Sequence, residues 1–109
     1  MSEQEILDKY TKMMVDWGAL SHEPNLPEDF IREYRYKLDW LSISCHQKLS
    51  EKLIGELYYL VNWTAISQYQ TLSEDFIREY EFWVNWKCIF QYQKLSEKFR
   101  AEFEHYSLF

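Results

Sequence analysis

The chain has 109 residues, enough for one domain, and 47% of them are hydrophobic, so a real core can be buried. Eighteen acidic against 12 basic residues give a net charge of −6, which excludes the clustered basic surface that wrapping phosphates requires. Two Gly and two Pro are too few for a β-rich fold with many tight turns, and two cysteines make neither a disulfide framework nor a zinc site.

In chain order, the first stretch, MSEQEILDKY, is charged and lacks the apolar run of a signal peptide. No segment approaches the roughly 20 apolar residues needed to span a bilayer. The expectation is a soluble protein of the cytosol with no membrane partner.

The next feature is a repeat. LPEDFIREY at 26–34 returns as LSEDFIREY at 72–80, and QKLSEK at 47–52 returns at 93–98. Both offsets are 46 residues, two periods of 23. Leu26, Leu49, Leu72 and Leu95 keep the shorter period, as do Trp17, Trp40, Trp63 and Trp86. Leu20, Ile43, Ile66 and Ile89 follow it too. Period comes before any residue-level reading, because a unit this short cannot bury its own apolar face and must stack. The expected fold is an all-α, short helix-pair solenoid of about four and a half 23-residue repeats, with eight or nine short helices. One domain, 1–109, would hold a divergent copy at 3–25, repeats at 26–48, 49–71 and 72–94, and a C-terminal capping helix at 95–109.

Each copy divides into two helices. Ser50, Ser73 and Ser96 stand where an N-cap hydroxyl accepts a free backbone N–H, and Pro27 holds that place in the first full copy. Glu28–Asp29 and Glu74–Asp75 follow, acids that favour the helix dipole. Phe30, Ile31, Tyr34 and Leu38 form one apolar stripe, with Glu28–Arg32 and Glu74–Arg78 as i,i+4 pairs on the other side. The first helix is predicted to run to near Asp39, Asn62 and Asn85, which cap a second helix ending near Gln47, Gln70 and Gln93. Those glutamines are placed to satisfy backbone groups at the turn. Ser42, Ala65 and Cys88 share one small-residue position, which suits close helix packing and makes Cys88 a packing residue. The first copy keeps Trp17 but reads as having lost its Ser-Glu-Asp head.

No motif for catalysis converges. His22, His46 and His105 lack metal spacing, and neither a Gly-rich phosphate loop nor a Gly-x-Ser-x-Gly elbow exists. The expectation is a protein that is not an enzyme and uses no cofactor or metal. A protein-binding surface is the better reading. Tyr36, Tyr59 and Phe82 share a position six residues after the inward Phe, about 240° around a helix. Two readings stay open: a second packing face, or a binding face, since aromatics are favoured interface anchors. Trp83 stands where Lys37 and Leu60 stand in neighbouring copies, either as an anchor or as a local gap filler. Glu28, Asp29, Glu74 and Asp75 complete the candidate partner-binding set. The apolar tail HYSLF suggests a homodimer contact.

LSEDFIREYEFWVNWKCIFQYQKLSEKF, residues 72–99, resembles a repeat of bacteriophage and giant-virus proteins, Trp-x-x-Ile-Ser-x-Tyr-Gln-x-Leu-Ser-Glu-Asp-Phe-Ile. The likeness covers about residues 26–103 and departs at CHQK (45–48) and LIGELYYL (53–60). It implies an all-α array and a viral setting, without a settled activity. A small acidic phage protein fits the class of stoichiometric inhibitors of host proteins, such as anti-CRISPR inhibitors of a defence nuclease. The partner expected is a host protein, with no direct nucleic-acid binding. The alternatives are an acidic mimic occupying a basic nucleic-acid channel, or a self-assembling structural protein.

Overall fold

The hydroxyls of Ser50, Ser73 and Ser96 accept the N–H groups of Leu53, Phe76 and Phe99, and each bond starts a helix. Asp39, Asn62 and Asn85 do the same before each tryptophan. These caps set the architecture seen in a computed structural model, which describes residues 1–108. Among them run α1 (Glu3–Lys9), α2 (Trp17–Leu20), α3 (Glu28–Glu33), α4 (Trp40–His46), α5 (Glu51–Glu56), α6 (Trp63–Tyr69), α7 (Glu74–Glu79), α8 (Trp86–Tyr92), α9 (Glu97–Glu102) and a closing 3-10 helix, Glu104–Leu108. The protein is an all-α helical repeat. No helix is long and apolar enough to cross a membrane among the described residues.

The second helix of each copy begins where its cap predicts and ends one residue before Gln47, Gln70 and Gln93, which are its C-caps. The first helix departs from expectation. It stops at Glu33, Glu56 and Glu79 rather than near Asp39, Asn62 and Asn85. Tyr34, Leu57 and Tyr80 close it with φ between −102° and −110°, and a turn carries the chain to the next cap. Trp40 Nε1–H donates to the Arg35 carbonyl at 2.7 Å and Trp86 Nε1–H to the Glu81 carbonyl at 2.9 Å. The following helix's tryptophan thus takes a carbonyl freed by the early stop.

The chain divides into two compact units, Met1–Val61 and Asn62–Phe109. In the first, Ile6, Leu20, Phe30, Ile31, Ile43, Leu53 and Ile54 are buried. Copies are joined by polar clamps. The Gln47 amide accepts the Leu26 N–H at 3.1 Å and donates to the carbonyls of Glu23 (2.6 Å) and Ser21 (3.4 Å). Ser21 Oγ accepts the Asp39 N–H at 2.9 Å. The Glu28 carboxylate accepts both the N–H and the hydroxyl of Ser50, each at 2.9 Å. The first copy does keep a head, contrary to expectation. Ser2 caps α1 by accepting the Glu5 N–H, two residues earlier than the period places it. A turn with a Thr11–Val15 bridge absorbs the difference.

The second unit repeats the clamps at an offset of 46. Gln93 accepts the Leu72 N–H at 3.1 Å and donates to the carbonyls of Gln70 (2.6 Å) and Ser67 (2.9 Å). Ser67 Oγ accepts the Asn85 N–H at 2.9 Å. Glu74 accepts the Ser96 N–H and hydroxyl at 2.7 and 3.1 Å. Here α6 packs on α8, and the 3-10 helix packs back on α8.

A set of ion pairs follows the longer period. Arg32 reaches one copy onward to Glu56 (2.8 Å) and also to Asp29 (3.0 Å); Arg78 reaches Glu102 (3.1 Å) and Asp75 (3.2 Å). The receiving copies carry Gly55 and Ala101 at the arginine position. The copies at 26–48 and 72–94 supply the cation, and those at 49–71 and 95–109 the anion. The i,i+4 pairing is weaker than expected: Glu28 lies 3.7 Å from Arg32, and Glu74 forms no ion pair with Arg78.

Candidate protein-binding surface

The early helix stop decides where the aromatic column goes. Tyr36, Tyr59 and Phe82 lie in the turns after α3, α5 and α7, so no helical angle governs them. They are 70%, 51% and 88% exposed. That answers which reading holds within this chain: the column is not a second packing face.

In the first unit, Tyr36 and Tyr59 stand with their hydroxyls 3.4 Å apart, a long contact for O–H···O. The Arg35 guanidinium lies over the Tyr36 ring, 4.7 Å from its centre. Tyr58 meets Tyr59 edge-on at 5.6 Å. The bond to Tyr59, with the nearby Arg35 charge, lowers the Tyr36 phenol below its ordinary value, while Tyr59 is raised by the same bond. Either hydroxyl can donate to the other.

In the second unit, Phe82 projects beside Trp83, which is 50% exposed. Trp83 leans on Trp63 at 6.3 Å, and Trp63 also stacks on Tyr80 (5.3 Å) and Phe76 (6.3 Å). The equivalent of Trp83 in the last copy is Tyr106, which lies flat on Trp86 at 4.4 Å and 3°. So Trp83 is half packing residue and half surface. The sequence signal for this, an aromatic at both 83 and 106, is visible once the tail is read as part of the repeat.

The acidic candidates have internal roles. Glu28 and Glu74 are half-buried and cap the next copy's serine. Asp29 and Asp75 have side chains 98% and 97% exposed, each against its own arginine. Tyr106 donates to Glu81 at 2.7 Å, and this bond raises its phenol above the ordinary value. Leu108 is 80% exposed, and Phe109 lies outside the described residues.

The first copy also holds a polar cluster that carries no motif in the sequence. Glu23 is buried, receives Lys9 Nζ at 2.8 Å and accepts the Tyr10 hydroxyl. The lysine and then the phenol hold its carboxyl below the ordinary range. Sequence distance hid it, since the partners lie 13 and 14 residues away. His22 Nε2 contacts the Ser42 hydroxyl at 3.0 Å, and its ring lies 5.2 Å from that of His46. No group of three His, Cys, Asp or Glu suited to a metal converges among the described residues.

Compared with family models, with curated proteins and with solved structures, the chain matches none.

Proposed function

We propose that this protein is a non-catalytic binding module that holds a partner protein through the aromatic side chains displayed on its inter-helix turns. The observation that supports it is the exposure of Tyr36, Tyr59 and Phe82 at one repeat position, when Phe30, Ile31, Leu38, Phe76 and Ile77 of the apolar stripe are buried. Exposed aromatics lose water at a partner surface and hold their shape at low entropic cost, which makes them anchors. The narrower reading is a cytosolic, phage-encoded stoichiometric inhibitor of a host protein such as a defence nuclease, and it is carried by the repeat resemblance alone. The acidic-mimic reading is disfavoured, because Glu28, Glu74, Glu56 and Glu102 serve the protein's own serines and arginines. The dimer reading through the tail draws on Leu108, since Tyr106 is engaged with Trp86.

The test is capture of partners from host lysate by the wild-type protein and by Tyr59→Ala and Phe82→Ala, with low-salt and high-salt washes. A stoichiometric partner retained in high salt and lost with either variant is expected. Equal retention by both variants would remove the aromatic surface from the account. Release by salt alone would favour charge mimicry.

A further inference from the structure

Arg35 differs from Arg32 and Arg78 and shares with Arg100 the absence of an ion pair among the described residues. Arg32 and Arg78 each hold carboxylates from two residues or more. Arg35, half-buried in the same acidic chain, forms no ion pair among the described residues. The nearest acid in sequence, Glu33, is turned to Glu3, as is the hydroxyl of Tyr34 at 2.6 Å. Arg35 spends one N–H on the Arg32 carbonyl at 2.7 Å. Its remaining donors lie by the Tyr36 and Tyr59 phenols, whose oxygens hold the guanidinium more firmly charged.

Within the protein the donors of this cluster outnumber its acceptors, and the remaining donors face solvent, where a ligand can reach them. A guanidinium has five N–H groups and accepts nothing, and each phenol adds one O–H. The acceptors at hand are the two phenol oxygens and one carbonyl. The two phenols share one proton across a long 3.4 Å contact, which leaves the other O–H without an acceptor among the described residues. Lys37, exposed, adds a second positive charge beside Tyr36. An oxyanion satisfies such a set, because it accepts from several donors at once and pairs with Arg in a fork.

We infer that Arg35, Tyr36 and Tyr59 form a receptor for a carboxylate side chain on an acidic peptide segment of the partner, with the two tyrosine rings covering an apolar residue next to it. This deepens the protein-binding reading and rests on it. The patch is basic within an acidic chain, so charge complementarity selects an acidic segment over a basic one.

The experiment is selection of a randomised displayed peptide library on the full-length protein, with Arg35→Gln and the double variant Tyr36→Phe/Tyr59→Phe as parallel baits. All baits are checked for unchanged helicity by circular dichroism; the double variant keeps both rings and removes only the O–H donors. The expected pool is enriched several-fold in Asp or Glu beside an apolar residue, and its peptides bind Arg35→Gln roughly tenfold more weakly. A neutral pool, or acidic peptides that bind all three baits equally, overturns the receptor and leaves the binding surface standing. No enrichment on any folded bait sinks both.

Discussion

Trp40 and Trp86 are the same residue of the repeat, 46 positions apart, and they live in different cores. Each donates its indole N–H to the carbonyl five residues back. Around Trp86 stand Phe90 (5.7 Å), Phe99 (6.2 Å), Phe103 (4.9 Å) and Tyr106 (4.4 Å), and it is buried. The matching places around Trp40 hold Ser44, Leu53, Leu57 and Leu60, and Trp40 is half-buried. The polar clamps fix the backbone of both units, and the apolar filling is free to be aliphatic or aromatic. A core accepts such exchange when volume and pattern are kept.

The sharpest test is therefore paired truncation. Trp86→Ala should cost about 3–5 kcal/mol by urea unfolding, and Trp40→Ala less, because Trp40 is half-buried and lacks the ring stack. Equal losses would show that the ring stack adds nothing beyond burial. Next comes the shared frame. Gln47→Ala and Gln93→Ala should each cost about 1–3 kcal/mol, because each leaves a buried N–H and carbonyls without partners. Markedly different values would mean that the clamp is not common to the two units.

The units also differ in their response to pH. Glu23, in the first unit, has a carboxyl held below its ordinary 4.5 by Lys9 and Tyr10. Its contribution is full above that ordinary value and is lost as pH falls through the lower, folded value. Tyr106, in the second unit, has a raised phenol, so its contribution is full below its ordinary 10.0 and is lost as pH rises through the folded value. Unfolding followed across pH should show Glu23→Gln flattening the acid limb and Tyr106→Phe the alkaline limb. Unchanged limbs would remove these groups from the comparison. The smallest effect belongs to the arginines: Arg32→Ala and Arg78→Ala should each cost less than either glutamine change, with the loss shrinking in high salt, since both pairs are partly exposed. A larger, salt-resistant loss would make the arginine pairing structural rather than superficial.

Much of the candidate surface was legible in part. The spacing names Tyr36, Tyr59, Phe82 and Trp83, but no helical angle sets their direction, because the helix ends before they are reached. Arg35 was invisible as a site residue. Its isolation from carboxylates exists only once Arg32, Glu33 and Tyr34 have taken their own partners in space.

What the sequence determined by itself was periodic: the caps, the second helix, the buried stripe and the 46-residue alternation. These depend on local hydrogen bonding and on residue spacing, which a linear chain writes directly. Tertiary structure decided the early stop of the first helix, the Gln and Glu clamps between copies, the folding of Tyr106 onto Trp86 and the exposure of the aromatic turns. Each of these joins groups about 20 residues or more apart or depends on what their neighbours cover, and no local propensity reports that.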